Sequence, residues 1–81
     1  MTNHLKYPGT DIAALAGDVV RFWNDQDSMI VDEVITTEES RKRWGLEESG
    51  IMMVGPMYGY VFDSLDEHSE VELVERPKWE S

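Results

Sequence analysis

The sequence predicts one small, mainly β domain: five short antiparallel strands making a barrel or a strongly curved sheet, with one short helix. Three observations lead to this reading. β-branched and aromatic residues recur in short runs, each bounded by Gly, Pro, Asn or Asp. One central stretch changes to helical character. The chain also has 81 residues, which fits a single domain (1–81) with one modest core.

The elements follow in order. Residues 1–9 are expected as a loose lead-in with a turn at Tyr7-Pro8-Gly9. Residues 10–17 read either as a short extended piece or as one helical turn capped by Thr10 or Asp11. "DVVRFW" (18–23) is the first strand, with Val20 and Phe22 on one side and Val19, Arg21 and Trp23 on the other. "NDQD" (24–27) is a polar turn. "SMIVDEVIT" (28–36) is the second strand, with Met29, Val31, Glu33 and Ile35 sharing one side by simple alternation.

"TTEESRKRWGL" (36–46) breaks the alternation and reads as a short helix. Thr36 and Glu39 have capping-box spacing, and Gly45 supplies the stop. Glu38 and Glu39 fall at the positive end of the helix dipole, and Arg41, Lys42 and Arg43 at the negative end. Trp44 is expected to fold back as a lid on the barrel end. "GIMMVG" (50–55), "YGYVFD" (58–63) and "SEVELVER" (69–76) complete the strands. Gly55 and Gly59 mark bulges or bends. Pro77 ends the last strand, and residues 77–81 are a second loose terminus. The order of elements is similar to SH3-like barrels.

Charge narrows the function. Seventeen acids against seven bases give a net charge of −10. That disfavours direct contact with nucleic acid or an anionic membrane surface, both of which call for Lys and Arg. It permits steered capture of a basic protein, and it equally serves to keep a small protein in solution. The chain has no cysteine, so disulfides and thiolate chemistry are excluded and a cytoplasmic home is expected. No apolar run spans a membrane, and "MTNHLKYPGTD" lacks a signal core.

Catalytic and metal sites are not expected, and no cofactor is implied. His4 and His68 stand without ligand spacing. No serine sits in a nucleophile elbow, and "GPMYGY" lacks the lysine of a phosphate loop. "RKRW" (41–44) is bracketed by Glu38, Glu39, Glu47 and Glu48 and reads as a helix end. The aromatics remain. Tyr58, Tyr60 and Phe62 are spaced by two, which places them on one face of one strand. They are either core or the anchor of a binding surface. Acids follow at once, at Asp63, Asp66, Glu67, Glu70 and Glu72.

Gly17-Asp18, Trp44-Gly45, Gly50 to Met53, Gly59 to Phe62 and Val71 to Arg76 occur in an order that resembles small immunity proteins of bacterial polymorphic-toxin and type VI secretion systems. Ala13 to Ala16 departs from the more β-prone lead-in of that family. The resemblance implies a cytoplasmic protein without catalytic residues that binds one cognate toxin and blocks it sterically. On this reading the partner, a toxin with a basic surface, meets Trp23, Asp25, Asp27, Asp32, Tyr58, Tyr60, Asp63, Asp66 and Glu67. The alternative is a small regulatory barrel in a nucleic-acid-associated or other protein complex. An uncovered edge strand would support a homodimer.

Overall fold

The structure, a computed structural model, describes residues 5–76. His4, Pro77 and the tail 78–81 lie outside the described residues. The elements run β1 (Val19–Phe22), β2 (Met29–Ile35), α1 (Glu38–Trp44), β3 (Gly50–Gly55), β4 (Gly59–Asp63) and β5 (Val71–Glu75). All five strands join one antiparallel sheet in the order β4-β3-β2-β1-β5. The mainly β expectation holds in its open form: β4 and β5 are edges, and no barrel closes.

Directly paired residues point to the same side of a sheet, so the registers define two faces. On the inner face lie Val20, Met29, Val31, Ile51, Met53 and Val71, all buried. Leu73, Phe22, Val34 and Val61 border this cluster. Leu65, in the crossover from β4 to β5, packs on it as well.

The lead-in corrects the expectation of a loose segment over 1–9. Within its described part, Tyr7 is 1% exposed and belongs to the core cluster with Ala14. Residues 5–14 form a small extended loop closed by Tyr7 N–H to Ile12 O (3.0 Å) and Ala14 N–H to Leu5 O (2.7 Å). Residues 10–17 therefore take the extended alternative. The open inner face needs a cover, and the apolar residues of this segment supply it.

β2 corrects simple alternation. Val31 pairs with Met53 but Glu33 pairs with Met52, so Asp32 is the extra residue of a β-bulge. The bulge sends Glu33 and Ile35 to the outer face while Met29 and Val31 stay inside. Uninterrupted alternation would have put the Glu33 carboxylate in the apolar core, at a cost of several kcal/mol by order of magnitude. A second bulge falls at Val74, because Val19 pairs with Glu75 while Val20 pairs with Leu73. Gly55 and Gly59 pair in register and are not bulges.

The helix cap lies one residue beyond the expected Thr36–Glu39 pair. Thr37 is the N-cap, accepting from Ser40 N–H at 3.1 Å, and Ser40 Oγ accepts from Thr37 N–H in return. Ser40 is buried while Glu39 is exposed, so the short hydroxyl suits this inward position where a carboxylate would not. Gly45 ends the helix with φ +73°. Gly50 permits a close approach: a Cβ there would lie 2.3 Å from the Asp63 carbonyl oxygen and 2.6 Å from the Phe62 ring.

Candidate functional site

Two constellations stand out, one polar and one largely apolar. The first joins both ends of the described chain. Asp18, with its side chain 2% exposed, accepts from Tyr7 Oη at 2.6 Å, Leu15 N–H at 3.0 Å, and Arg76 Nε and Nη2 at 2.8 and 2.7 Å. Arg76 also donates to Ala13 O at 2.6 Å. Burial pushes the Asp18 carboxyl up, but the Arg76, Tyr7 and Leu15 hydrogen bonds together outweigh it and hold the group below its ordinary range. Burial, reinforced by the Asp18 charge, raises the Tyr7 phenol above its ordinary value. Perturbed groups often mark active sites. Here both Asp18 oxygens are already occupied by protein donors, so the cluster is a structural knot that ties residues 5–17 and Arg76 to the sheet.

The second constellation is exposed. Val19, Ile30, Val54 and Tyr60 pair in succession across β1, β2, β3 and β4 and form one cross-strand row on the outer face. Ile30 is 50% and Tyr60 60% exposed. Trp44 leans over the end of this row, with its ring 5.4 Å from Tyr60 and tilted by 53°. Its indole N–H donates to Glu33 Oε1 at 2.8 Å, and Arg43 Nη1 reaches Glu33 Oε2 at 3.0 Å. Trp44 is thus a clip on the outer face, not a lid on a barrel end. The bulge at Asp32 creates this arrangement by turning Glu33 outward.

The row adjoins the end of the sheet where the β1–β2 and β3–β4 turns lie. Tyr58 donates to Asp25 between those turns. That bond lowers the Asp25 carboxyl and raises the Tyr58 phenol relative to their ordinary values. Asp25 also accepts from Asp27 N–H at 3.0 Å. Trp23 and Met57, at 61% and 72% exposure, flank the turns.

The nine residues expected as one surface therefore separate. Trp23, Asp25, Asp27 and Tyr58 occupy the turn end, and Tyr60 continues from it onto the outer face. Asp32 is the exposed bulge residue of β2. Asp63, Asp66 and Glu67 lie at the other end of β4 and in the crossover. Asp63 is structural: its Oδ2 accepts from Leu65 N–H at 2.8 Å and Ser69 Oγ at 2.7 Å. The expectation that Tyr58, Tyr60 and Phe62 share one strand face is corrected. Gly59 has φ +72°, which places Tyr58 in the turn before β4 and leaves only Tyr60 and Phe62 on the common face.

The sequence reading missed Ile30 and Val54, because the cross-strand row appears only once the registers are known. It also missed the roles of Tyr7, Asp18 and Arg76. Among the described residues, no three His, Cys, Asp or Glu side chains come together as metal ligands. No described helix is long and apolar enough to cross a membrane. No family model, curated protein or solved structure matches this chain. The functional reading rests on the geometry and on the resemblance noted in the sequence.

Proposed function

We propose that this protein is a protein-binding inhibitor of the immunity type, which docks its turn end and outer sheet face on a cationic toxin in the cytoplasm and blocks it sterically. One observation carries the reading: exposed aromatic and apolar residues (Trp23, Ile30, Met57, Tyr58, Tyr60) sit beside acids that have no cationic partner among the described residues. Among the described residues, Asp25, Asp27 and Asp32 form no ion pair. Such acids keep their full field for an incoming basic surface, which raises the association rate and fixes orientation. Rigid aromatic side chains then supply the desolvated contacts that slow dissociation. Blocking by occupancy requires no catalytic group.

Co-purification from the native host, followed by a growth assay with the captured protein expressed alone, tests this. The expected partner is a basic protein that arrests growth, and co-expression of this chain relieves the arrest. Asp25→Lys with Asp27→Lys weakens capture at least tenfold. A captured partner that is non-toxic, or capture indifferent to that double substitution, contradicts the proposal. Low-salt binding of duplex DNA by the isolated chain would favour the regulatory alternative.

A further inference from the structure

We infer that β4 is a pairing edge for an extended segment of a partner protein, apolar in its middle and carrying Lys or Arg at both ends, which joins the sheet as an added strand. The inference rests on the reading of a cationic protein partner and specifies how that partner is held: by its backbone, along one sheet edge.

The two edges of the sheet differ. β5 is bulged at Val74, carries Glu72 and Glu75 and is followed by Arg76. Bulges and charges are the usual means by which natural edge strands resist pairing. β4 has neither bulge nor lysine. Its residues, Gly59–Asp63, pair with β3 without a register shift. Its one charge, Asp63, is at the strand end and engaged by Leu65 and Ser69. Among the described residues, no hydrogen bond other than those of the β3 ladder reaches the β4 backbone. In an antiparallel pair every second residue turns its N–H and C=O away from the neighbour. This edge therefore offers donors and acceptors to a further strand, the arrangement that strand addition uses.

Charge selects the occupant. Residues 45–75, which include β3, β4, the crossover and β5, contain no Lys or Arg. Acids stand beyond both ends of β4. At the turn end Tyr58 donates to Asp25, which also accepts from Asp27 N–H. At the other end come Asp66 and Glu67 in the crossover. Among the described residues Asp25, Asp27 and Asp66 form no ion pair, and Glu67 meets only His68. Arg43, beside the Trp44 that touches Tyr60, is engaged by Glu33. A second copy, with the same net charge of −10, would bring its own acids to these. A strand with a cation at each end meets them with the opposite sign, which draws it in and sets its position along the edge. Tyr60 and Phe62 lie on the outer face and Val61 on the inner face. Apolar residues in the middle of the added strand give each of them a cross-strand neighbour.

A synthetic peptide of about eight residues, valine alternating with threonine between a lysine pair at each end, is the probe. It is titrated into the isotope-labelled full chain and followed by NMR. The expected Kd is on the order of 100 µM at about 0.1 M salt, weakening at least about threefold at about 1 M. Saturation should slow hydrogen exchange of the exposed β4 amides. The same peptide methylated at every central backbone nitrogen keeps its charges and side chains but has no donors to pair, and it should not bind. Tyr60→Lys, at an exposed position, places a cation on the edge and should abolish binding, with circular dichroism confirming the fold. Ile30→Lys, also exposed on the outer face but on β2, should leave affinity within about twofold. Absence of binding up to about 1 mM overturns the inference. So does equal binding of the methylated peptide, an equal loss in Ile30→Lys, or a dimer of the chain that occupies the edge instead. Failure of the peptide series defeats the edge and leaves toxin capture standing, whereas a captured partner that is non-toxic defeats the inhibitor reading and leaves the peptide result standing.

Discussion

The chain contains the same hydrogen-bonded pair twice, a tyrosine donating to an aspartate, in opposite surroundings. Tyr7 and Asp18 are buried beneath the N-terminal cover and locked by Arg76. Tyr58 and Asp25 bridge two turns in open solvent. In the first pair every polar atom is occupied and low local dielectric makes each loss costly. In the second, water competes for both partners and the bond contributes little to the fold. Residue type does not assign a role; burial and the number of fixed partners do. The first pair holds the molecule together, and the second remains free to exchange its partner for another protein.

Substitutions at the two pairs should separate these roles. Asp18→Ala has the largest expected effect: it leaves Arg76 and Tyr7 without their acceptor, and chemical denaturation should report a loss of roughly 3–5 kcal/mol. Tyr7→Phe should cost roughly 1–3 kcal/mol by the same measurement, because Asp18 keeps Arg76 and Leu15 but loses one donor. Tyr58→Phe should leave the denaturation midpoint unchanged while speeding partner dissociation. Equal midpoints for Tyr7→Phe and Tyr58→Phe would erase the distinction.

The pH dependence sharpens the contrast. Asp18 has a lowered pKa in the folded state, so its stabilisation is fully present above the unfolded value of about 3.9 and is lost as pH falls below it. Tyr7 has a raised pKa, so its contribution holds below the unfolded value of about 10 and is lost as pH rises beyond it. The contribution of this pair to stability should be flat between about pH 5 and pH 9 and fall on both sides. Asp18→Ala should remove most of the acid limb, and Tyr7→Phe most of the alkaline limb.

Gly50→Ala probes the outer face from below. The added methyl meets the Asp63 carbonyl and the Phe62 ring, and an overpacking cost of roughly 1–3 kcal/mol is expected in the same denaturation assay. The effect should extend to partner binding, because Phe62 and Tyr60 share a strand face.

Much of this was legible in the sequence, for physical reasons. β-branched runs between turn residues located every strand, and charge placement with Gly45 located the helix. The bulge at Asp32 was not legible, because it depends on which neighbour Glu33 meets across the sheet. The knot was not legible either: Asp18 and Arg76 are 58 residues apart, and no local pattern announces their contact. Of the candidate surface, Tyr58, Tyr60, Asp25 and Asp27 could be read as exposed chemistry from their types and turns. Ile30 and Val54 could not, since apolar strand residues are ordinarily core. The hold that Asp63 keeps on the β4–β5 crossover was not legible, because its partner Ser69 lies across a loop that no local pattern closes.

A calorimetric titration of the captured toxin with the wild-type chain and with an Asp25→Lys, Tyr60→Ala double variant, run beside their thermal melts, bears most directly on the division between a locked interior and an available exterior. The expected result is a loss of affinity of at least tenfold with the wild-type melting temperature retained. Undiminished affinity, or a loss that appears only with collapse of the melt, would contradict it.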